Sequence, residues 1–305
     1  MANYGMPYKG SKSKIAQQII NILPEAECFV DLFGGGGAMI DCAMRSIKYQ
    51  KGIYNELEPL TYKGFTTAIE GGFRGEKRWI SREEFFELKD TDPYVAICFS
   101  FGNDLKTYCY AKELEPWKRA LHYARVFNDL SVLEKFGIKS DGSRRDIVKH
   151  KEQYKKKYLE WLGENVLLPE EIERLQSAER LQSLESLQRL ESLQRLERLQ
   201  SLERLQSYNL SYEQVPIPEN AVIYCDIPYK ATNTYLSSFD YDAFYTWARN
   251  QKQDVFISEY SMPDDFYLVA EIDRVSLLSP NSRETMKERL YCNHEYKTHE
   301  QLSFF

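Results

Sequence analysis

Phe29-Val30-Asp31-Leu32-Phe33-Gly34-Gly35-Gly36-Gly37 reads as a short strand running into a glycine turn, and Ala38 to Arg45 after it has helix-forming composition. Glycine has no Cβ, so the backbone turns sharply there and comes close to a ligand. In an open α/β sheet, ligands bind beyond the carboxyl ends of the strands, at turns of this kind. No Gly-Lys-Ser/Thr closes the run, which sets it apart from triphosphate-binding loops, and its spacing misses the strict dinucleotide fingerprint. Taken alone, the run fits a plain strand-to-helix turn equally well. About twenty residues further on, Gly52-Ile53-Tyr54-Asn55-Glu56 is a second short strand that ends in an acid, where a carboxylate accepts both hydroxyls of a ribose. The two strands together point to a mixed α/β core with a nucleoside-containing cofactor.

A third strand-like run, Ala221-Val222-Ile223-Tyr224-Cys225, leads into Asp226-Ile227-Pro228-Tyr229. An acid, a proline turn and an aromatic at a sheet edge suit a flat ring that bears an amine. The carboxylate accepts an N–H bond and Tyr229 offers a face for stacking, although such tetrapeptides also simply end strands. Near the start, Tyr8-Lys9-Gly10-Ser11-Lys12 precedes Ile15-Ala16, Ile19-Ile20 and Leu23, whose spacing predicts an amphipathic helix stopped by Pro24. By themselves Lys9, Lys12 and Lys14 read as solvated charges.

In this order the motifs resemble those of the Dam-type adenine-N6 DNA methyltransferases, particularly the phage-like members, over roughly residues 4–110 and 215–300. Tyr8 to Lys12 is similar to the family's amino-terminal segment that contacts S-adenosylmethionine, Asp31 to Gly37 to its glycine-rich cofactor motif, and Glu56 to its ribose-binding acid. Asp226 to Tyr229 looks like the catalytic Asp-Pro-Pro-Tyr, and Val255-Phe256-Ile257-Ser258-Glu259 like a later core strand. Cofactor motif, insert and catalytic motif follow one another in the arrangement called alpha. The resemblance implies a Rossmann-like class I S-adenosylmethionine-dependent methyltransferase core. It makes Tyr8, Lys12, Asp31, Phe33, Gly34, Gly35, Gly36, Glu56 and Asp226 cofactor-binding residues, with Tyr8 on the cofactor's adenine and Lys12 near its polar end. It also implies a target adenine flipped out of duplex DNA. The Asp226 carboxylate and the Ile227 carbonyl then accept the two N6 hydrogens, beside Pro228, and Tyr229 stacks on the base. Ile227 departs from the usual first proline; it keeps the carbonyl and loses the fixed φ.

Composition agrees with such a protein. A chain of 305 residues, 43% hydrophobic, buries one good core and a smaller added domain. No apolar run is long enough to span a membrane and no signal-peptide pattern opens the chain, so the expected location is cytoplasmic. The six cysteines lack C-x-x-C spacing and read as buried thiols in a reducing compartment, and the four histidines show no metal-ligand spacing, so no metal is expected. The net charge of −6 is unlike that of a simple DNA binder. Phosphate contact needs a local patch, however, and the densest one is 139–157, with Lys139, Arg144, Arg145, Lys149, Lys151, Lys155, Lys156 and Lys157. Its Asp141-Gly142-Ser143 opening reads as a turn and its later part as a basic helix.

From Leu175 to Ser207 a triplet repeats eleven times, with leucine first in every unit except Ala178. The second position alternates between Gln and Glu, and the third is Ser or Arg. Leucines three apart step back by about 60° on an α-helix and wind around it, so the tract reads as a non-standard helix or a solenoid ahead of disorder. It is either a spacer or self-association element, or a frame that shows Arg189, Arg195 and Arg198 to DNA. Two further segments complete the reading. Val95 to Phe101 is expected as a core strand ending at Gly102, and Arg283 to Arg289 as a surface loop before a last strand, Leu290-Tyr291-Cys292. The expected organisation is a catalytic core of residues 1–110 and 215–305 split by a target-recognition insert, 111–214. Duplex DNA is the expected partner. A methyltransferase acting on cytosine N4 or RNA adenine, or a non-catalytic DNA-binding decoy on the same fold, remains open.

Overall fold

The computed structural model describes residues 4–141, 143–166, 204–228, 239–275 and 285–296. Tyr229, most of the triplet repeat with Arg189, Arg195 and Arg198, and Asn281 and Arg283 lie outside the described residues, as does the side chain of Arg144. The described residues divide into two compact units, one within 1–72 and 195–305, the other within 73–194.

The first unit is built on a seven-stranded sheet. Its strands are β1 (Ala26–Asp31), β2 (Tyr49–Asn55), β3 (Leu205–Tyr208), β4 (Ala221–Cys225), β5 (Asp254–Ser258), β6 (Tyr267–Val275) and β7 (Thr285–Cys292), in spatial order β3-β2-β1-β4-β5-β7-β6. β3, β2, β1, β4 and β5 pair in parallel, and β7 runs antiparallel to both β5 and β6. This is the mixed α/β, Rossmann-like core that the three strand-and-turn motifs imply. The order reverses at β1, which has β2 on one side and β4 on the other, so a ligand crevice is expected beyond the carboxyl ends of β1 and β4.

Parallel strands covered on both faces are apolar throughout, and their two faces follow from period-two alternation. Cys28, Val30, Ile53, Ile223, Cys225, Val255 and Ile257 share one face with Phe244, Tyr245 and Ala248 of helix α10 (Tyr241–Arg249). On the other face Phe29 packs against Tyr49 and Tyr224, and Gly52 lies against Ile40 and Met44 of α2 (Ala38–Arg45). Helix α1 (Ala16–Ile22) lies where the Ile15 to Leu23 spacing predicts. Helix α3 (Pro59–Ile69) begins at Pro59 with the Glu58 carboxylate accepting from the Leu60 and Thr61 N–H groups.

The second unit holds α4 (Arg82–Leu88), α5 (Pro93–Phe99), α6 (Glu115–Val126), α7 (Ser131–Lys135), α8 (Arg144–Lys149) and α9 (Lys151–Asn165). Its interior is aromatic: the Trp79 ring stacks on Tyr110 at 5.6 Å, and Trp117 on Tyr158 at 5.5 Å. Tyr108, Tyr110 and Trp117 are buried core residues.

Four expectations change. The run Val95 to Phe101 is not a strand, because Pro93–Phe99 is helix α5. The Asp92 side chain caps its first turn and Pro93 occupies the first helical position. Every residue of α5 is buried, so no periodicity separates helix from strand, and the cap decides. Residues 73–110, assigned from sequence to the core, fall in the second compact unit. The last triplet of the repeat, Leu205-Gln206-Ser207, belongs to the core rather than to an insert: it forms β3, in register with Gly52, Ile53 and Tyr54. The last strand begins at Thr285, so Thr285 to Arg289 is strand β7 rather than surface loop.

Candidate active site

Four of the parallel strands bring a polar residue to the same edge of the sheet, at their last position or just after it. β1 ends at Asp31, β2 at Asn55 followed by Glu56, β4 leads into Asp226, and β5 ends at Ser258 followed by Glu259. β7 runs the opposite way, so its amino-terminal half arrives at that edge.

The glycine turn is shaped by what presses on it. A Cβ on Gly34 would lie 2.2 Å from the Tyr54 ring, and one on Gly36 2.6 Å from the Tyr8 Cβ. Gly35 and Gly37 have φ of +48° and +69°, which L side chains rarely adopt. The Tyr54 hydroxyl donates to the Gly35 carbonyl at 2.7 Å, and the Met6 N–H to the Gly36 carbonyl at 2.7 Å. Tyr8 therefore lies over the glycine turn itself. Phe33 does not face this side: its ring sits among Tyr212, Phe239 and Phe244 in the α10 face.

Asp31 is buried, and its Oδ2 accepts from the Ile40 N–H at 3.0 Å, satisfying one of the free donors in the first turn of α2. Burial pushes its carboxyl up to about 8, with Asp226 and Glu56 adding to the rise. Glu56 accepts from the Gly35 N–H at 2.7 Å and from the Glu58 N–H at 2.8 Å, and burial raises its carboxyl against these donors. Asn55, unremarked in the sequence, ties three strand ends together. Its amide donates to the carbonyls of Leu32 and Leu210, and its oxygen accepts from the Leu210 N–H.

Asp226 is held from across the sheet. Lys12 Nζ donates to Asp226 Oδ1 at 2.6 Å and lies 3.5 Å from Glu288 Oε1 on β7. The Lys12 and Glu288 side chains are only 2% and 3% exposed, while that of Asp226 is 24% exposed. The Lys12 carbonyl accepts from the Ile15 and Ala16 N–H groups, so its stem is fixed by the entry to α1. Tyr224 lies on the same face and shares a 2.8 Å hydrogen bond with Ser258. Burial, then the charges of Asp226 and Glu288, push its hydroxyl well above the usual tyrosine value. Ile227 turns its side chain into the α10 core, and the Pro228 carbonyl accepts from Tyr241 at 2.7 Å. The isoleucine that departs from the family pattern thus anchors the loop by packing where proline would do so by its ring.

Sequence reading missed Glu288 and Asn55. The available signal for Glu288 was parity: it shares a strand face with Leu290 and Cys292, where an acid needs a buried partner.

Of the basic segment, Arg145 and Lys149 are exposed on α8, and Lys155 is half-buried on α9, 3.9 Å from Glu152. Among the described residues no cluster of three His, Cys, Asp or Glu side chains is placed to hold a metal, and no helix is long and apolar enough to cross a membrane.

Comparison with known proteins follows the same line. The family model of the D12 class N6 adenine-specific DNA methyltransferases matches residues 8–271. A search of curated proteins finds no match to the chain.

Proposed function

Because this chain belongs to the D12 class N6 adenine-specific DNA methyltransferases, and so is an enzyme that methylates adenine N6 in DNA, we propose that the edge of the sheet around Asp226 is where it does so. Family membership decides for adenine in DNA over cytosine N4, RNA or a silent decoy. The observation that carries the site is Asp226 itself. It is a partly exposed carboxylate just past β4, beside the reversal of strand order, with one oxygen fixed by a buried lysine.

In this reading Asp226 and the Ile227 carbonyl accept the two N6 hydrogens of an adenine flipped from the duplex, and Tyr229 stacks on the base. Drawing the two hydrogens out of the ring plane pyramidalises the nitrogen and frees its lone pair from the ring's conjugation. Rate then comes mainly from placing that lone pair, with no general base required to start the step. S-adenosylmethionine, the methyl donor of the reading, supplies an electrophilic methyl on a sulfonium centre. The residues present fit such a group. The glycine turn lies against Tyr8 and Tyr54 with no space for a Cβ at Gly34 or Gly36, and Glu56 stands fixed at the end of β2. Tyr8, Lys12, Asp31, Gly34, Gly35, Gly36 and Glu56 form or brace that cradle, whereas Phe33 supports it from the opposite face.

Duplex contact falls to the second unit in this reading. Arg145 and Lys149 stand exposed, with Arg144 and Lys155 beside them in sequence, and exposed cations exchange counterions for phosphates. The six cysteines, all buried, suit a reducing compartment such as the cytoplasm. The test is mass spectrometry of nucleosides from duplex DNA incubated with S-adenosylmethionine and the enzyme. N6-methyladenine from the wild type and none from Asp226→Ala is expected; equal yields would overturn the site.

A further inference from the structure

Glu288 has no place in the reaction as described so far, yet it is a buried acid at its edge. On β7, Phe256 pairs with Cys292 and Ser258 with Leu290, so Glu288 comes next on the same face, just beyond the end of β5. Its neighbours Lys287 and Arg289 point the other way and pair with Glu271 at 2.7 and 2.8 Å. That surface trio does not reach Glu288. Lys12 does reach it: its ammonium stands 2.6 Å from Asp226 and 3.5 Å from Glu288.

Two carboxylates around one buried ammonium form a directed chain. A buried lysine or glutamate without a partner is costly, so each end holds the middle in place. Only Asp226 opens to solvent, and Lys12 occupies one of its two oxygens, Oδ1. That contact helps to set the plane in which the carboxylate meets the target amine. An ammonium held only by Asp226 would rotate with it; one also drawn towards Glu288 resists. Resting on the reading of Asp226 as the acceptor of the N6 hydrogens, we propose that Glu288 is a positioning residue, which acts through Lys12 to fix the Asp226 carboxylate for the amine. The arrangement repeats the logic of a catalytic group oriented by a second residue that a third one braces.

The test measures single-turnover methylation of a duplex, together with S-adenosylmethionine binding by calorimetry and DNA binding by anisotropy. It uses the full chain as wild type, Glu288→Gln, Glu288→Asp, Lys12→Met and the Lys12→Met/Glu288→Gln double variant. Glu288→Gln should slow the single-turnover rate about tenfold while both affinities stay within about twofold. Glu288→Asp, which keeps the charge on a shorter stem, should fall between Gln and wild type. The double variant should be no slower than Lys12→Met alone, because the effect of Glu288 passes through the lysine. A Glu288→Gln rate equal to wild type, losses that multiply in the double variant, or affinities that fall as far as the rate would each overturn the proposal. If Glu288→Gln fails to fold, a Glu288→Asp enzyme at wild-type rate overturns it and a slowed one with unchanged affinities upholds it. Full activity in an Asp226→Ala control would instead sink the reading of the site on which the proposal rests, a failure distinct from these.

Discussion

In the sheet unit, burial pushes the Asp31 carboxyl up to about 8, whereas in the helical unit hydrogen bonds from Ser140 and Tyr154 hold Asp146 down at about 2. The same side chain serves opposite ends. Asp31 stands at the end of β1, beside a helix start that uses one of its oxygens, close enough to Asp226 and Glu56 to be raised by their charge. Asp146 sits on α8 and also meets His150 at 2.8 Å. The sheet unit keeps ionisable side chains inside: Lys12, Asp31, Asp41 and Glu288 are all buried. The interior of the helical unit is mainly aromatic, and even its buried Lys118 lies over the Tyr110 ring, 6.0 Å from the centroid. Buried charge costs stability and is retained where its placement does chemistry. Exposed charge is cheap to hold and exchanges readily with phosphates. The difference fits the proposed division, with reaction in one unit and duplex contact in the other.

The sharpest break of that division comes from Asp226→Ala, which should lower the methylation rate on the order of 10²–10³-fold while leaving DNA affinity nearly unchanged. Quenched-flow methylation alongside anisotropy checks it. Next is a pair of glycines. Gly34→Ala forces a Cβ to within 2.2 Å of a Tyr54 ring already stacked on Phe65 at 4.1 Å. It should cost about 1–3 kcal/mol in urea unfolding. Gly137→Ala in the helical unit meets open space and pays only for its φ of +68°, about 1 kcal/mol.

The two aspartates predict opposite pH responses. Asp31 holds its proton in the folded state up to about pH 8 and loses it much earlier when unfolded. Its contribution is therefore present at acid pH and fades as pH rises towards 8. Asp146, whose carboxyl is lowered to about 2, contributes above the unfolded carboxylate range and loses that contribution as pH falls through it towards 2. Hydrogen exchange resolved by peptide should show protection in the sheet unit falling with rising pH, less so in Asp31→Asn. Protection in the helical unit should fall only in acid. The smallest effect is Glu271→Ala, which removes the exposed trio with Lys287 and Arg289. It should leave the urea-unfolding midpoint nearly unchanged, and any shift should vanish in high salt.

Sequence carried the strand ends around Asp226 well because their signals are local. Glycines after an apolar run, an acid closing a second strand and Asp-Ile-Pro-Tyr after a third each announce a strand end without reference to the rest of the fold. It failed where context decides. Pro93–Phe99 is apolar on every side, so only the Asp92-Pro93 cap distinguishes helix from strand. Leu205-Gln206-Ser207 matches the triplets before it, and only pairing with β2 makes it a strand. Glu288 gains its meaning from Lys12, nearly the whole chain away, a distance that no local pattern spans.

The account is tested most directly by single-molecule methylation sequencing of DNA from cells that make the wild type, Asp226→Ala, or an Arg145→Ala/Lys149→Ala/Lys155→Ala variant. A short adenine-containing word modified by the wild type, absent with Asp226→Ala, and modified at lower occupancy with the triple variant is the predicted result. Methylation of the same word at full occupancy by Asp226→Ala would contradict the placement of the chemistry at this edge of the sheet.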